Sequence, residues 1–413
     1  MKFFADLHIH SKFSRATSQR MELESLWHWA NLKGINLLGT GDFTHPAWFS
    51  EIKEKTIEKD GFLILKDKKN PPFFVLSGEI SCIYSQDGRQ RRIHLVVLPP
   101  SLEVAEKINK KLGEKGNLYS DGRPILGLSV PQILEIIFNI SEEIIVIPAH
   151  IWTPWYSLYG ANSGFDTFEE CFQDFSDRIF AIETGLSSDP PMNWRITELD
   201  SKSIVSFSDS HSPEKIGREA TVLEAEPDFL SLRRGFLREN KKILYTIEFY
   251  PEEGKYHYTG HRNCNVVYSP KEVKEKGSIC PVCKNPLTLG VMDRVEQLAS
   301  RPEGFKDETR PQFKYLVPLI EIISESRSNK NQKEIEKIFF IFVNYFQGEL
   351  NVLLEVPFEE LKKIDQKVAE GIIKVRKGNL EIFPGFDGVY GKVKIWGDNK
   401  NNEKNLEIQP LLF

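Results

Sequence analysis

Near its start the chain carries Asp6-Leu7-His8-Ile9-His10-Ser11 at the end of the apolar run Phe3-Phe4-Ala5. In an extended strand, side chains two apart share a face, so Asp6, His8 and His10 point one way and Leu7 and Ile9 the other. Two imidazoles and a carboxylate on one face suit a divalent metal; the alternative is a polar strand end whose histidines are merely hydrogen-bonded. Further metal-capable residues follow: Asp42 and His45 in Gly41-Asp42-Phe43-Thr44-His45-Pro46, Glu79 after Gly78, His94, His150 after Ala149, and Asp209 and His211 in Ser208-Asp209-Ser210-His211. His8, His10, Asp42, His45, Glu79, His94, His150, Asp209 and His211 are therefore the candidate ligands. Together they exceed what one zinc ion uses, so two or three divalent ions are expected. Imidazole and carboxylate donors without thiolate suit Zn or Mn, and Mg less well. Ions about 3.5 to 4 Å apart acidify a water and clamp an in-line displacement at phosphorus. The expected chemistry is phosphoester hydrolysis.

A second set has different character. His261-x-x-Cys264 and Cys280-Pro281-Val282-Cys283 are two ligand pairs separated by a loop, the spacing of a structural zinc ribbon with tetrahedral ligation by His261, Cys264, Cys280 and Cys283. His257 is a rival for the histidine position. Cys82 and Cys171 stand alone in apolar surroundings, and five cysteines in a long chain do not suggest a disulfide framework.

These residues need elements to position them. Short apolar runs at 2–5, 35–40, 73–77, 93–98, 143–148, 179–182 and 203–207 read as seven strands, most with a metal-capable residue at the C-terminal end. Helical patterns at 20–32, 104–112, 130–139, 168–175 and 194–200 lie between them. Alternation of this kind predicts an α/β fold, a distorted seven-stranded barrel with its site on one rim. Residues 48–72 read as a charged helix and a lysine-rich loop. Residues 219–226 read as one more strand, and 229–242 as a basic helix whose usual role is a solvated face. Further on, 291–298, 318–324, 334–345 and 358–375 read as helical, 326–331 as a linker, and 382–392 as a glycine-dense loop between extended segments. The expected domains are a hydrolase domain at 1–250, a zinc-binding module at 251–290 and a mainly helical C-terminal domain at 291–413.

At 413 residues the chain exceeds what one core usually organises. No apolar run reaches the roughly 18 residues of a membrane helix, and the opening lacks a signal-peptide layout. No membrane association and a cytoplasmic location are expected. The net charge of -5 means that any nucleic-acid contact must come from local basic clusters.

In this order, Asp6-Leu7-His8-Ile9-His10-Ser11, Gly41-Asp42, Gly78-Glu79, His94, Ala149-His150 and Ser208-Asp209-Ser210-His211 resemble the motifs of the polymerase and histidinol phosphatase (PHP) superfamily. That resemblance implies a distorted seven-stranded barrel around a trinuclear centre. His8, His10, Glu79 and Asp209 would hold one ion; Glu79 would bridge to a second, held also by His94 and His150; His211 would help hold a third. Glu79, Asp209 and His211 are the catalytic members of this set. The chain departs from the pattern at Ala16 and Phe43, where many members carry histidine, and Asp42 and His45 are the candidates to substitute.

A narrower resemblance is to the endonuclease Q family, through Ser11-Lys12-Phe13-Ser14-Arg15-Ala16-Thr17-Ser18, Gly39-Thr40-Gly41-Asp42-Phe43-Thr44-His45-Pro46, the His261/Cys264/Cys280/Cys283 set and Pro384-Gly385-Phe386-Asp387-Gly388-Val389-Tyr390-Gly391. It covers nearly the whole chain. It implies a DNA repair nuclease that nicks 5′ to deaminated bases (hypoxanthine, uracil, xanthine) and abasic sites. Damaged DNA is then the partner, and a sliding clamp is a candidate protein partner. On this reading Trp152, Trp155 and Tyr156, just after His150, stack on bases, against the plainer reading that they pack a loop. Arg15, Arg91 and Arg92 clamp phosphates, while Lys12 and Arg218 are surface residues. The alternative is a PHP-type phosphoesterase acting on a small phosphorylated metabolite or nucleotide, and a scaffold with a dead centre comes third. About 160 residues beyond the barrel are more than a pocket lid requires.

Overall fold

In the computed structural model, which describes residues 1–68, 71–327 and 331–397, the opening apolar run forms strand β1 (Lys2–Asp6). Helix Leu23–Lys33 returns the chain to β2 (Leu37–Gly39), which lies parallel to β1. Helix Pro46–Lys55 leads to a hairpin of β3 (Thr56–Lys59) and β4 (Phe62–Leu65). Its turn, Asp60-Gly61, has positive φ at both residues, as a two-residue hairpin favours. The lysine-rich loop expected within 48–72 is corrected here: much of it is this hairpin, marked in the sequence by Asp-Gly.

The chain continues through β5 (Phe73–Val75), the long hairpin β6 (Gly78–Gln86) and β7 (Arg89–Leu98), the short β8 (Ile125–Leu126), then β9 (Ile145–Pro148), β10 (Ala181–Glu183), β11 (Ser203–Val205), β12 (Ala220–Glu224) and β13 (Ile243–Glu248). Helices Leu102–Gly113, Val130–Phe138 and Phe168–Phe172 fall where the pattern placed them. Two of these are started by reciprocal capping boxes, Ser129 with Gln132 and Thr167 with Glu170. The basic helix expected over 229–242 ends at Gly235, and Ile243 opens a strand that the charge run had hidden.

Further along are the hairpin β14 (Thr259–His261) and β15 (Val266–Tyr268), strand β16 (Gln312–Tyr315), and the pair β17 (Glu381–Phe383) and β18 (Lys392–Lys394). Helices Val291–Leu298, Leu319–Ser326, Gln332–Tyr345, Glu349–Leu354, Phe358–Leu361 and Gln366–Arg376 complete the C-terminal part. Helix Leu319–Ser326 includes the first residue of the expected 326–331 linker, and 328–330 lie outside the described residues.

The architecture is mixed α/β. Hydrogen bonds divide the main strands into an eight-stranded sheet, β16-β13-β12-β1-β2-β5-β4-β3, a four-stranded sheet, β8-β6-β7-β9, and the parallel pair β10-β11. Single bonds join these sheets, Ile151 N–H to the Glu183 carbonyl and Ser206 N–H to the Thr221 hydroxyl among them. The strands bury both faces, as apolar runs flanked by helices must. In β9, Ile145 and Ile147 enter an inner core with Leu7, Leu37 and Val205, while Val146 packs outward among the helices. The polar strand ends emerge from that inner plug. Among the described residues no helix is long and apolar enough to cross a membrane.

Candidate metal centre

His8, His10, His150 and Asp209 follow the ends of strands, whereas Glu79 opens β6 and His94 lies within β7. Asp42, His150 and Asp209 all have left-handed backbones, with φ of +46°, +32° and +47°. Non-glycine residues adopt this conformation at a cost, and it clusters at functional sites. Gly185 packs against His150 so closely that an added Cβ would lie 2.4 Å from the histidine Cβ, so a side chain there has no room.

The side chains meet in two groups, His8 with His10 and Asp209, and Glu79 with His94 and His150. Glu79 joins them. Its Oε1 is 2.6 Å from His94 Nδ1, 3.1 Å from His150 Nε2 and 3.6 Å from His8 Nε2; its Oε2 is 3.6 Å from His10 Nε2. Carboxylates behind the rings fix them. Glu183 holds His8 Nδ1 at 2.9 Å and takes the His150 backbone N–H at 2.7 Å, while Asp42 holds His10 Nδ1 at 3.1 Å. With Nδ1 engaged, His8 presents a lone pair on Nε2. That Nε2 is buried, has no hydrogen-bond partner, and stands 3.6 Å from both Glu79 and Asp209. The separation is too long for a hydrogen bond and suits donors that share a cation. The residues present thus fit divalent ions.

Electrostatics agree with this. Burial alone would raise the carboxyls of Glu79 and Asp209, yet the surrounding imidazoles hold both well below the usual range. Burial likewise pulls His8 and His10 down, but their carboxylate partners overcome it and lift them to about 9 and about 10. The negative charge that draws protons onto these rings is the charge that favours cations beside them. His94 goes the other way, pushed down to about 4 by burial.

Two expected ligands are corrected. Asp42 is fully buried, and its oxygens are taken by His10, the backbone and hydroxyl of Ser11 and the hydroxyl of Ser14; it positions His10. His45 caps helix Pro46–Lys55 and stacks on Phe13 at 4.4 Å, outside both donor groups. His211 flanks the centre, its ring 4.4 Å from that of His10 and its Nδ1 3.0 Å from the Asp209 carbonyl oxygen.

Of the expected DNA contacts, Trp152 is corrected: it is buried, bonded to Asn193 through its indole N–H and packed on Tyr159. Arg91 is likewise engaged, bonded to the Gly164 carbonyl and stacked on Phe165 at 4.0 Å. Arg15 and Trp155 are exposed at the surface. Tyr156 lies with its ring 4.7 Å from that of His94, and the Arg92 guanidinium stands 5.4 Å from the same ring. Arg218, read as surface, bonds the carbonyls of Ser208 and Asp209 and braces that turn. Two residues that touch the donor groups were missed in the sequence. Glu183 had the strand-end signal of the others; Arg123, 3.1 Å from Glu79 Oε2, sits in a loop without one.

His261, Cys264, Cys280 and Cys283 bring their donor atoms within 4.8 Å of one another. His257 is not among them. It lines a cleft of about 530 Å³ together with Arg92, Trp155, Tyr156, Tyr256 and Tyr390. Thr153, which bonds His150 Nδ1, lines it too, so the cleft opens beside the donor groups.

Buried imidazoles and carboxylates converging in an α/β fold are the kind of site that can hold divalent ions in a hydrolytic enzyme. Comparison with known proteins narrows it. The chain is 30% identical to the uncharacterized protein YqxK of Bacillus subtilis over 422 aligned positions, covering 95% of this chain and 99% of that one. It is 33% identical to the uncharacterized protein MJ0043 of Methanocaldococcus jannaschii over 251 residues, spanning 31% of that longer protein. Residues 318–379 match the family model of the MJ0043 C-terminal domain. The crystal structure of the lesion-specific endonuclease PfuEndoQ from Pyrococcus furiosus superposes with a TM-score of 0.84 at 30% identity, covering 95% of each chain. An endonuclease Q complex with a 27-mer duplex carrying an abasic lesion at the active site gives 0.82 at 30% identity, over 95% of this chain and 96% of that one. The chain belongs to the endonuclease Q family.

Proposed function

We propose that this protein is a metal-dependent DNA repair endonuclease that hydrolyses the phosphodiester 5′ to deaminated bases (hypoxanthine, uracil, xanthine) and to abasic sites. The observation that carries this reading is the position of Glu79 between two imidazole-bearing donor groups, in a chain of this family. Divalent ions bound there supply an acidified water and offset phosphate charge. His8, His10 and Asp209 hold one side, His94 and His150 the other, and Glu79 joins them. His211, partly exposed beside His10, is placed to assist a third ion or the leaving oxygen. Arg123 adds a fixed cation on Glu79, near where a phosphate would lie.

Residues 1–250 carry this chemistry. His261, Cys264, Cys280 and Cys283 hold one zinc that stabilises the module at 251–290, since a closed set with three thiolates suits a structural ion. Arg15, Arg92, Trp155 and Tyr156 form the DNA-facing edge. A sliding clamp is the protein partner in this reading, because residues 409–413, outside the described residues, read Gln-Pro-Leu-Leu-Phe, a glutamine-led apolar peptide of the kind that docks in an apolar groove.

The test is an end-labelled duplex with one deoxyinosine, incubated with Mn²⁺ or Mg²⁺. A single nick on the 5′ side of the lesion is expected, lost in the folded variant Asp209→Ala. Phosphate release from a nucleotide with the duplex left intact would replace this reading with a small-molecule phosphoesterase.

A further inference from the structure

We propose that Arg123 is a catalytic residue: it keeps one guanidinium nitrogen on Glu79 and donates from another to a non-bridging oxygen of the scissile phosphate, offsetting the charge that builds there. This rests on the endonuclease reading and names the protein group that meets the phosphate itself.

Arg123 sits in the loop before β8, and that loop is tied at each residue from 121 to 124. Asp121 is buried and accepts the backbone N–H groups of Arg15 and Arg123, at 3.3 and 3.1 Å. The Gly122 N–H bonds the Phe13 carbonyl, and its own carbonyl takes the Thr44 hydroxyl. An added Cβ at Gly122 would stand 2.3 Å from Asp42 Oδ2 and 2.6 Å from the Ser14 hydroxyl, so only glycine lets the loop press on the carboxylate that holds His10. The Pro124 carbonyl accepts the N–H of Ser81, two residues along β6 from Glu79. A loop fixed in this way presents its guanidinium already oriented.

The side chain is paired only once. Nη1 lies 3.1 Å from Glu79 Oε2, no other described residue accepts a hydrogen bond from the guanidinium, and its remaining nitrogens are open to solvent. Around the centre, His8, His10 and Glu79 are closed off at 1% exposure or less, whereas Asp209, His211 and Arg123 keep 26%, 31% and 25% of their side chains exposed. These three frame the side from which a phosphate reaches the donor groups. Of them only Arg123 carries a permanent positive charge. Burial opposes that charge, but Glu79 and Asp209 overcome it and raise the guanidinium above its usual value.

The chemistry suits such a group. When a water oxygen adds to phosphorus, negative charge grows on the non-bridging oxygens, and a fixed donor aimed at them favours that state over the ground state. A guanidinium is a planar fork, so one edge can stay on a carboxylate while another N–H meets a phosphate oxygen. It gives up no proton in doing so, and the hydrolysis needs nothing beyond the water that the ions activate.

The experiment uses the full chain with Mn²⁺ on duplexes with one deoxyinosine, either all-oxygen or with a stereopure Rp or Sp phosphorothioate at the bond 5′ to it. The wild-type protein should cut one isomer more slowly than the other, because sulfur accepts hydrogen bonds poorly. Arg123→Gln should lower the all-oxygen rate about 10- to 100-fold, the worth of one charged hydrogen bond, and shrink the difference between isomers. Its Mn²⁺ affinity, read from the free-ion EPR signal, should stay at the wild-type level, whereas a mere prop for Glu79 would cost about 10- to 100-fold in affinity when removed. Arg123→Lys, which keeps the charge without the fork, should recover part of the rate. An Arg123→Gln protein that cuts at the wild-type rate, keeps the full isomer difference, or loses manganese in step with its rate overturns the proposal and leaves the endonuclease reading standing. A wild-type protein that leaves the all-oxygen duplex intact overturns both.

Discussion

His8 is held from behind. Glu183 occupies its Nδ1 with both carboxylate oxygens, which fixes the tautomer and leaves a buried, unpartnered Nε2 pointing between Glu79 and Asp209. Removing such a support weakens metal binding about 10- to 100-fold without touching a ligand. Glu183→Ala should therefore lose manganese to a competing chelator in that range while its circular dichroism stays unchanged; wild-type affinity would show that the carboxylate does not orient the ring. The same residue shows where sequence reading stops. Strand-end carboxylates at 42, 79, 183 and 209 look alike in one dimension. Only the fold separates Glu79 and Asp209, whose neighbours are imidazoles across the centre, from Asp42, whose oxygens are filled by Ser11, Ser14 and His10. His45 misled for a related reason, since its ring accepts from the Trp48 N–H and caps the helix that Pro46 opens.

Among elements, most strands near the donors were legible because they are short apolar runs that end in polar residues; β7 was legible from the apolar run at 93–98 that holds His94. Those that escaped lacked this contrast. Thr56-Ile57-Glu58-Lys59 alternates with charge, and β13 begins directly after Lys241-Lys242. β13 also brings Glu248 beside Glu219, the residue just before β12, both fully buried, each with one oxygen lacking a partner. Burial raises Glu248 from 4.5 to about 8, only partly offset by the Thr184 hydroxyl that donates to it, and Glu219 is pushed up by burial and by Glu248. Because the folded pKa exceeds the unfolded one, the folded chain holds an extra proton between about pH 4.5 and 8. Stability from the protonated form is full below that window and is lost as pH rises through it. The amide of Glu248→Gln cannot ionise, so its melting temperature relative to wild type should climb from pH 5 to pH 8.5. A difference that stays constant over that range would mean the pair does not titrate with folding.

Across the whole molecule, segments far apart in sequence build one working surface. β16 extends the sheet beside β13, and the loop between β17 and β18 folds back so that the Gly385 N–H meets the Glu252 carbonyl and Tyr390 reaches the cleft. Such a cleft is invisible to a reading that divides the chain at 250 and 290, because its walls come from all three parts. Its cationic edge, with Arg92 and Lys255, also shows how a chain of net charge -5 can present a local basic surface. The proposed chemistry requires Glu79 to unite two donor groups into one multi-ion centre. Anomalous diffraction from crystals soaked in manganese tests this directly. The prediction is at least two peaks flanking Glu79, one toward His8, His10 and Asp209 and one toward His94 and His150, both lost in Glu79→Ala. Manganese absent from that space in the wild-type protein, or peaks that survive loss of the Glu79 carboxylate, would contradict it.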